Sequence, residues 1–358
     1  MSTHFLRDIL RQPVEMERTI DYLLGPGQKS LQQAAAMIRS APEVVVTGIG
    51  ASWNAALAAS SLFFLRGQSI RMQEAGELLH FSTISRGAVI VVISRTGRSI
   101  EIVQLLAKAE ASGASVIGIT NSSDSPLARK SAVAIVVPTR LDHTISVNAY
   151  STPLIATSAL ASEVTTGFAS AASALACTIR EANQYVETWQ KQIETSPWLT
   201  PGVPYYFLAR GGSVGTCNEA RLLWEEGVKM PATAMSTASF RHGPQEIVRK
   251  LMRFCLWIDQ ALMREQDLAV ASDLRELGAS VMLIGENLPE DAGDLVCQLP
   301  VSPPHWQFMI DVLPIQFAAE RLSRLSGVDC DSFRICSYVV EDEHGLLGKK
   351  AGISQNAN

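Results

Sequence analysis

Six consecutive residues, Ser94-Arg95-Thr96-Gly97-Arg98-Ser99, bring together three hydroxyls, two guanidinium groups and one glycine directly after the apolar run Val89–Ile93. The run reads as a buried parallel strand, and helical spacing begins near Ile100. Backbone N–H groups at a helix start, the positive end of the helix dipole and hydroxyl donors together suit a phosphate dianion. An ordinary strand-to-helix loop, in which Ser and Thr only cap the helix, uses the same residues. A second set of candidates lies downstream: Glu219, the pair Glu225-Glu226, and His242, sixteen residues beyond Glu226, in Ser239-Phe240-Arg241-His242-Gly243-Pro244. Glu219 and Glu226 are two helical turns apart and share a face. A desolvated carboxylate can act as a base, and an imidazole can move a proton on a sugar oxygen near neutral pH. Taken singly, Glu225 reads as a solvated helix charge, Glu219 as a structural ion pair and His242 as a turn residue.

Such groups need elements to hold them, and one device occurs twice. Val45–Ser52 and Phe207–Ser213 each read as an apolar strand, a small-residue turn ending in Ser, and a long helix. Each offers a helix N-terminus to an anion, so two copies of one α/β domain are expected. Strand and helix patterns alternate through Val44–Thr47, 55–65, Ile70–Gln73, Val89–Ile93, 100–112, Val116–Thr120, 125–130 and Ala134–Val137. They resume at Tyr205–Ala209, 214–228, Phe254–Ile258, 268–277, Val281–Ile284, Val296–Leu299 and 308–325. This alternation predicts α/β architecture: two tandem doubly wound, flavodoxin-like parallel sheets with helices on both faces. Ligands then bind at the carboxyl ends of the strands, where Ser52, Ser94–Ser99 and Thr120-Asn121-Ser122 fall. Residues 1–40 read as a helical leader broken at Gly25-Pro26-Gly27, 41–195 as the first domain, 196–345 as the second and 346–358 as a tail. The second copy has Asp259-Gln260-Ala261 where the first has its hydroxyl-rich loop, so one phosphate cradle is expected, not two.

Composition narrows the class of partner. The 358 residues suffice for two domains, and 47% apolar residues can fill both cores. A net charge of -5 argues against a nucleic-acid or anionic-membrane surface, which leaves a local anion site. The six cysteines form no CxxC pair, which suits a reducing cytoplasm, and no apolar run or signal pattern implies export or membrane insertion. His80, His143 and His305 are scattered, so neither a metal nor another cofactor is expected.

The motifs together carry a resemblance. Gly50-Ala51-Ser52, Ser94–Ser99, Ala149-Tyr150-Ser151-Thr152, Leu208-Ala-Arg-Gly211, Glu219 with Glu226, Phe240–Pro244, Leu313-Pro-Ile-Gln316 and Gly327–Arg334 follow one another as in the double sugar-isomerase-domain (SIS) family. That family contains phosphosugar isomerases, deaminases, deglycases and the isomerase half of glucosamine-6-phosphate synthase. The resemblance covers nearly the whole chain. It implies that Ser52, Ser94, Arg95, Thr96 and Ser99 hold a sugar phosphate, with Gly50, Ser151 and Arg98 as candidate sugar contacts. It also implies Glu226 as the base moving a proton between C1 and C2, with Glu219 as a further catalytic carboxylate. His242 would open the ring from a neighbouring subunit, making a homodimer the smallest active unit. The expected activity is aldose–ketose isomerisation or amino-sugar-phosphate deamination, the alternatives being fructosamine-phosphate deglycation and a non-catalytic sensor.

Departures from the family pattern refine the expectation. Leu223 stands where the synthase has a helix lysine, Tyr338 aligns with its C-terminal lysine, and Arg98 replaces the glutamate of its phosphate loop. Lys349 and Lys350 are candidates to supply an amine instead. With no glutamine-hydrolysing domain in the sequence, glutamine-dependent synthesis is not expected of this chain alone.

Overall fold

The computed structural model describes residues 2–343 together with 345 and 346. An all-apolar strand is stable only where both of its faces are covered, and every residue of Val89–Ile93 is buried. The chain meets that demand twice. After α1 (His4–Leu24) and α2 (Gln28–Ser40), the first sheet takes β1 (Val44–Thr47), β2 (Arg71–Met72), β3 (Val89–Ile93), β4 (Ser115–Thr120) and β5 (Val133–Val136). Its connections are α3 (Ala51–Leu65), α4 (Ala75–Phe81), α5 (Ile100–Ser112) and α6 (Pro126–Lys130). Two long helices, α7 (Asn148–Thr165) and α8 (Ala169–Thr195), lead to the second sheet. That sheet holds β6 (Tyr205–Ala209), β7 (Ala232–Ser236), β8 (Arg253–Trp257), β9 (Ser280–Glu286) and β10 (Leu295–Leu299). Its helices are α9 (Ser213–Leu223), α10 (Thr237–Phe240), α11 (Arg264–Glu276) and α12 (Leu313–Leu325).

The strand orders are β2-β1-β3-β4-β5 and β7-β6-β8-β9-β10, the same doubly wound topology written twice, with every pairing parallel. Alternate residues face opposite sides, as the pleat requires. Val44, Val46 and Val91 point into a core shared by both halves, whereas Val45, Ile90 and Val92 pack against α4 and α5 through Leu78, Leu105 and Leu106. Phe207, Cys255 and Trp257 join the shared core from the second sheet, and Leu208, Phe254 and Leu256 face Leu274 of α11. Helices α3 and α9 meet within that shared layer. The two sheets therefore have one common interior.

Several boundaries differ from the sequence reading. Helix α3 begins at Ala51 instead of 55, which puts Ser52 in its first turn. Helix α8, grouped by sequence with the first domain, lies on the second sheet, where Trp189 Nε1 donates to the Gln298 carbonyl at 2.8 Å. Strand β7 has no alternation to announce it, since Ala232-Thr-Ala-Met-Ser236 is half-buried throughout at the sheet edge. The helix expected to run unbroken to Val228 widens into a π turn over Trp224–Val228. Among the described residues no helix is long and apolar enough to cross a membrane.

Candidate active site

In a doubly wound sheet, a crevice opens where neighbouring strands send their connections to opposite faces. In the first sheet these strands are β1 and β3, whose carboxyl ends carry Gly48–Ser52 and Ser94–Ser99. A cavity of about 110 Å³ lies there, with Ser52, Ser94, Arg95, Thr96, Ser99 and Ser146 in its wall. Ser99 occupies the N-cap of α5 without making a side-chain capping bond. Gly97 shapes the loop: its φ is 60°, its N–H donates to Ser94 Oγ at 3.1 Å, and an added Cβ would lie 2.6 Å from Ser125 Oγ. Only glycine fits. Gly50, with φ of 57°, precedes α3 in the same way.

Arg95 is held on three sides. It donates to Ser146 Oγ at 3.0 Å and to the Tyr338 carbonyl at 3.2 Å, and its guanidinium lies 4.0 Å from the centre of the Tyr338 ring. Ser146 is in turn placed by Asp142, which accepts backbone N–H groups from Val147, Asn148 and Ala149 and faces Arg11 of α1 at 3.3 Å. Arg98, expected as a sugar contact, is not in the wall of this cavity and pairs with Asp124 at 2.7 Å.

A larger cavity of about 400 Å³ opens beside the end of α9, walled by Glu225, Glu226, Lys229, Met230 and the segment 333–336. Burial pushes the Glu226 carboxyl up to about 7, opposed by the positive charges of Arg95 and Lys229 and reinforced by Glu225. The two cavities are linked through Arg95, whose charge acts on Glu226, and through the C-terminal segment, which lines one at Cys336 and the other at Tyr338. Glu225 pairs with Arg221 at 2.8 Å on the outer side.

Glu219 is enclosed one layer deeper, 1% exposed, and accepts a 2.8 Å hydrogen bond from Asn54 Nδ2 of α3. Burial pushes it up to about 8, the Asn54 bond holds it down, and the Glu226 charge adds to the rise. Close contact of α3 with α9 depends on Gly215, where an added Cβ would lie 2.5 Å from the Asn54 carbonyl oxygen. The helix that starts at the cradle thus touches the helix that carries both carboxylates.

Other expectations fare differently. His242 is exposed beyond α10 and lies in the wall of neither cavity. Ser151, expected as a sugar contact, is fully buried inside α7, its hydroxyl donating to the Val147 carbonyl at 3.3 Å, while Ser146 lies in the cavity wall. Leu223 is core, 1% exposed, and Tyr338 is engaged with Arg95. Lys349 and Lys350 lie outside the described residues. Sequence reading missed Ser146, Lys229 and the segment 333–336. Lys229 was within reach of it, standing three residues past Glu226 on one helical side. Among the described residues no group of three or more His, Cys, Asp or Glu side chains forms a metal-ligand set.

Residues 37–163 match the family model described as the SIS domain. Over 340 residues the chain is 23% identical to the isomerizing glutamine–fructose-6-phosphate aminotransferase of Pyrococcus horikoshii, covering 92% of this chain and 56% of that protein. The chain spans about half the length of the curated relatives it matches. Glucosamine-6-phosphate deaminase from Thermotoga maritima superposes with a TM-score of 0.79 at 23% identity, covering 94% of this chain and 99% of that one. Tagatose-6-phosphate ketose/aldose isomerase from Escherichia coli gives 0.80 at 18% identity over 92% and 95%. The fold is that of tandem SIS proteins.

Proposed function

Starting from a chain that carries an SIS domain over residues 37–163 within a tandem SIS fold, we propose an enzyme that moves a proton between C1 and C2 of a sugar phosphate. One observation carries the reading. A half-buried carboxylate poised near neutrality, Glu226, faces a cavity close to a hydroxyl-lined cradle and feels the charge of Arg95 in that cradle's wall. Ser52, Ser94, Thr96 and Ser99 would donate to the phosphate, with Arg95 balancing its charge. Gripping one end fixes the register of the open-chain sugar, so a single carboxylate can serve two adjacent carbons. Glu226 takes the proton from one carbon, an enediol or enolamine forms, and the same proton returns to the other carbon. With a hydroxyl at C2 this is aldose–ketose isomerisation. With an amino group, hydrolysis of the resulting imine releases ammonia. The chemistry uses side chains alone, without metal or cofactor.

The glutamine–fructose-6-phosphate aminotransferase, glucosamine-6-phosphate deaminase and tagatose-6-phosphate isomerase named above support this substrate class. The size of the Glu226 cavity, with Met230, Phe333 and Ile335 in its wall beside Arg334, favours a second reading, a fructosamine-phosphate deglycase: the proton moves from C1 to C2, the imine forms at C1, and its hydrolysis releases an amino acid whose carboxylate meets Arg334. His242, exposed and not in the wall of the Glu226 cavity of its own chain, suits delivery into the site of a partner subunit.

Thermal stabilisation by a panel of hexose, hexosamine and fructosamine phosphates, followed by product analysis, tests the function. Stabilisation and conversion of at least one compound is the expected result. Stabilisation without conversion marks a sensor and overturns the enzymatic reading, and no stabilisation at millimolar ligand overturns the phosphosugar reading. For the shared site, mixing inactive Glu226→Gln and His242→Ala proteins should restore activity through hybrid dimers. Absence of recovery after verified subunit exchange overturns it.

A further inference from the structure

Lys229 stands at an unusual place in the chain. The π turn Trp224–Val228 ends α9, and Lys229 follows in the left-handed conformation, φ 58° and ψ 34°, a position that favours glycine. Keeping a lysine there carries a conformational cost, and such strain collects at functional sites. The exit folds its side chain back along the turn. Its ammonium donates to the carbonyls of Glu226 and of Ser332, the latter at 2.9 Å. An ammonium has three donors. Two are thus fixed on backbone oxygens, while Lys229 itself lines the same cavity of about 400 Å³ as Glu226.

We propose that Lys229 is a second catalytic group of this site, the amine that hands a proton to the sugar oxygen and takes one back while Glu226 moves the carbon-bound proton. This rests on the proton-transfer reading above. In the first half-reaction the C–H bond breaks, its proton goes to the Glu226 carboxylate, and the electron pair forms the C=C bond. The carbonyl oxygen simultaneously receives a proton from the Lys229 ammonium. In the second half-reaction the neutral amine recovers a proton from the neighbouring enediol hydroxyl as Glu226 reprotonates carbon, and both groups end as they began. Burial lowers the Lys229 pKa and so eases release of the proton, with Arg334 acting in the same sense and Asp329, Cys330 and Glu226 against it.

The test uses Lys229→Gly and Lys229→Arg in the full chain, on whichever phosphosugar the wild type converts. Glycine suits the backbone at this position, so Lys229→Gly should melt at or above the wild-type temperature while kcat falls at least 100-fold and KM stays within threefold. Added methylammonium should restore part of the lost kcat. Arginine keeps charge and hydrogen bonds but does not release its proton, so Lys229→Arg should remain at least 30-fold down in kcat. A purely structural cap behaves otherwise: kcat within threefold of wild type in Lys229→Gly, or full recovery in Lys229→Arg, overturns the proposal while a dead Glu226→Gln leaves the proton-transfer reading standing. Unimpaired turnover in Glu226→Gln, or a wild type that converts no phosphosugar, overturns both.

Discussion

Asn54 donates its Nδ2 to Glu219 Oε2 at 2.8 Å, and this bond couples the helix that opens at the cradle to the helix whose closing π turn carries Glu226. The two residues are 165 positions apart. Their contact is where the first half of the chain meets the second at the level of the site.

Asn54→Ala should therefore destabilise the protein by about 1–3 kcal/mol, because it leaves a buried carboxyl without its donor. Urea denaturation measures the loss. In a Glu219→Leu background the same substitution should have little effect, since the polar pair is already gone. An equal loss in both backgrounds would show that packing, not the hydrogen bond, is responsible.

Stability should fall as pH rises. Burial pushes Glu219 up to about 8 and Asp311 up to about 7, although Asp311 accepts hydrogen bonds from Ser213 and Thr216 at 2.6 and 2.7 Å. Between their ordinary carboxylate range and these raised values, the folded chain binds protons that the unfolded chain has released. The slope of stability against pH is negative in that window. Denaturation midpoints should decline from about pH 5 to 8, and Glu219→Gln, which keeps an acceptor for Asn54, should flatten the curve and add roughly 1–3 kcal/mol at pH 8.

Glu226 must be ionised to accept a proton. With its carboxyl pushed up to about 7, kcat should rise through that pH and level above it. Arg95→Ala removes the positive charge that holds Glu226 down, so the midpoint should move to higher pH while affinity for the phosphosugar weakens about 10- to 100-fold. The kcat–pH profile and calorimetric titration read the two effects separately.

Gly97→Ala tests the cradle backbone. A methyl group at φ 60°, 2.6 Å from Ser125 Oγ and 2.8 Å from Leu127 Cβ, forces the loop to move. The expected result is a loss of about 1–3 kcal/mol in stability and of phosphate affinity, with secondary structure by circular dichroism unchanged.

The cradle was legible in sequence because it is local. Ser94, Thr96, Gly97 and Ser99 sit on one turn between one strand and one helix, so their neighbourhood is fixed by the chain itself. The same local pattern did not separate Arg98 from the rest of the loop, although its side chain pairs with Asp124 and stays out of the cavity wall. Ser146 was invisible because its partner Arg95 is 51 residues away and no motif links them.

The amino-acid sequence by itself determined the alternation of strands and helices, the duplication, and the residue types at each turn, because apolar periodicity and glycine placement act over a few residues. Tertiary structure alone decided which halves touch and how deeply each carboxylate lies. Closure of α3 on α9 at Gly215 buried Glu219, and the return of the C-terminal segment placed Tyr338 on Arg95. A carboxylate's basicity depends on the water and charges around it, which the chain acquires only when distant segments close upon one another.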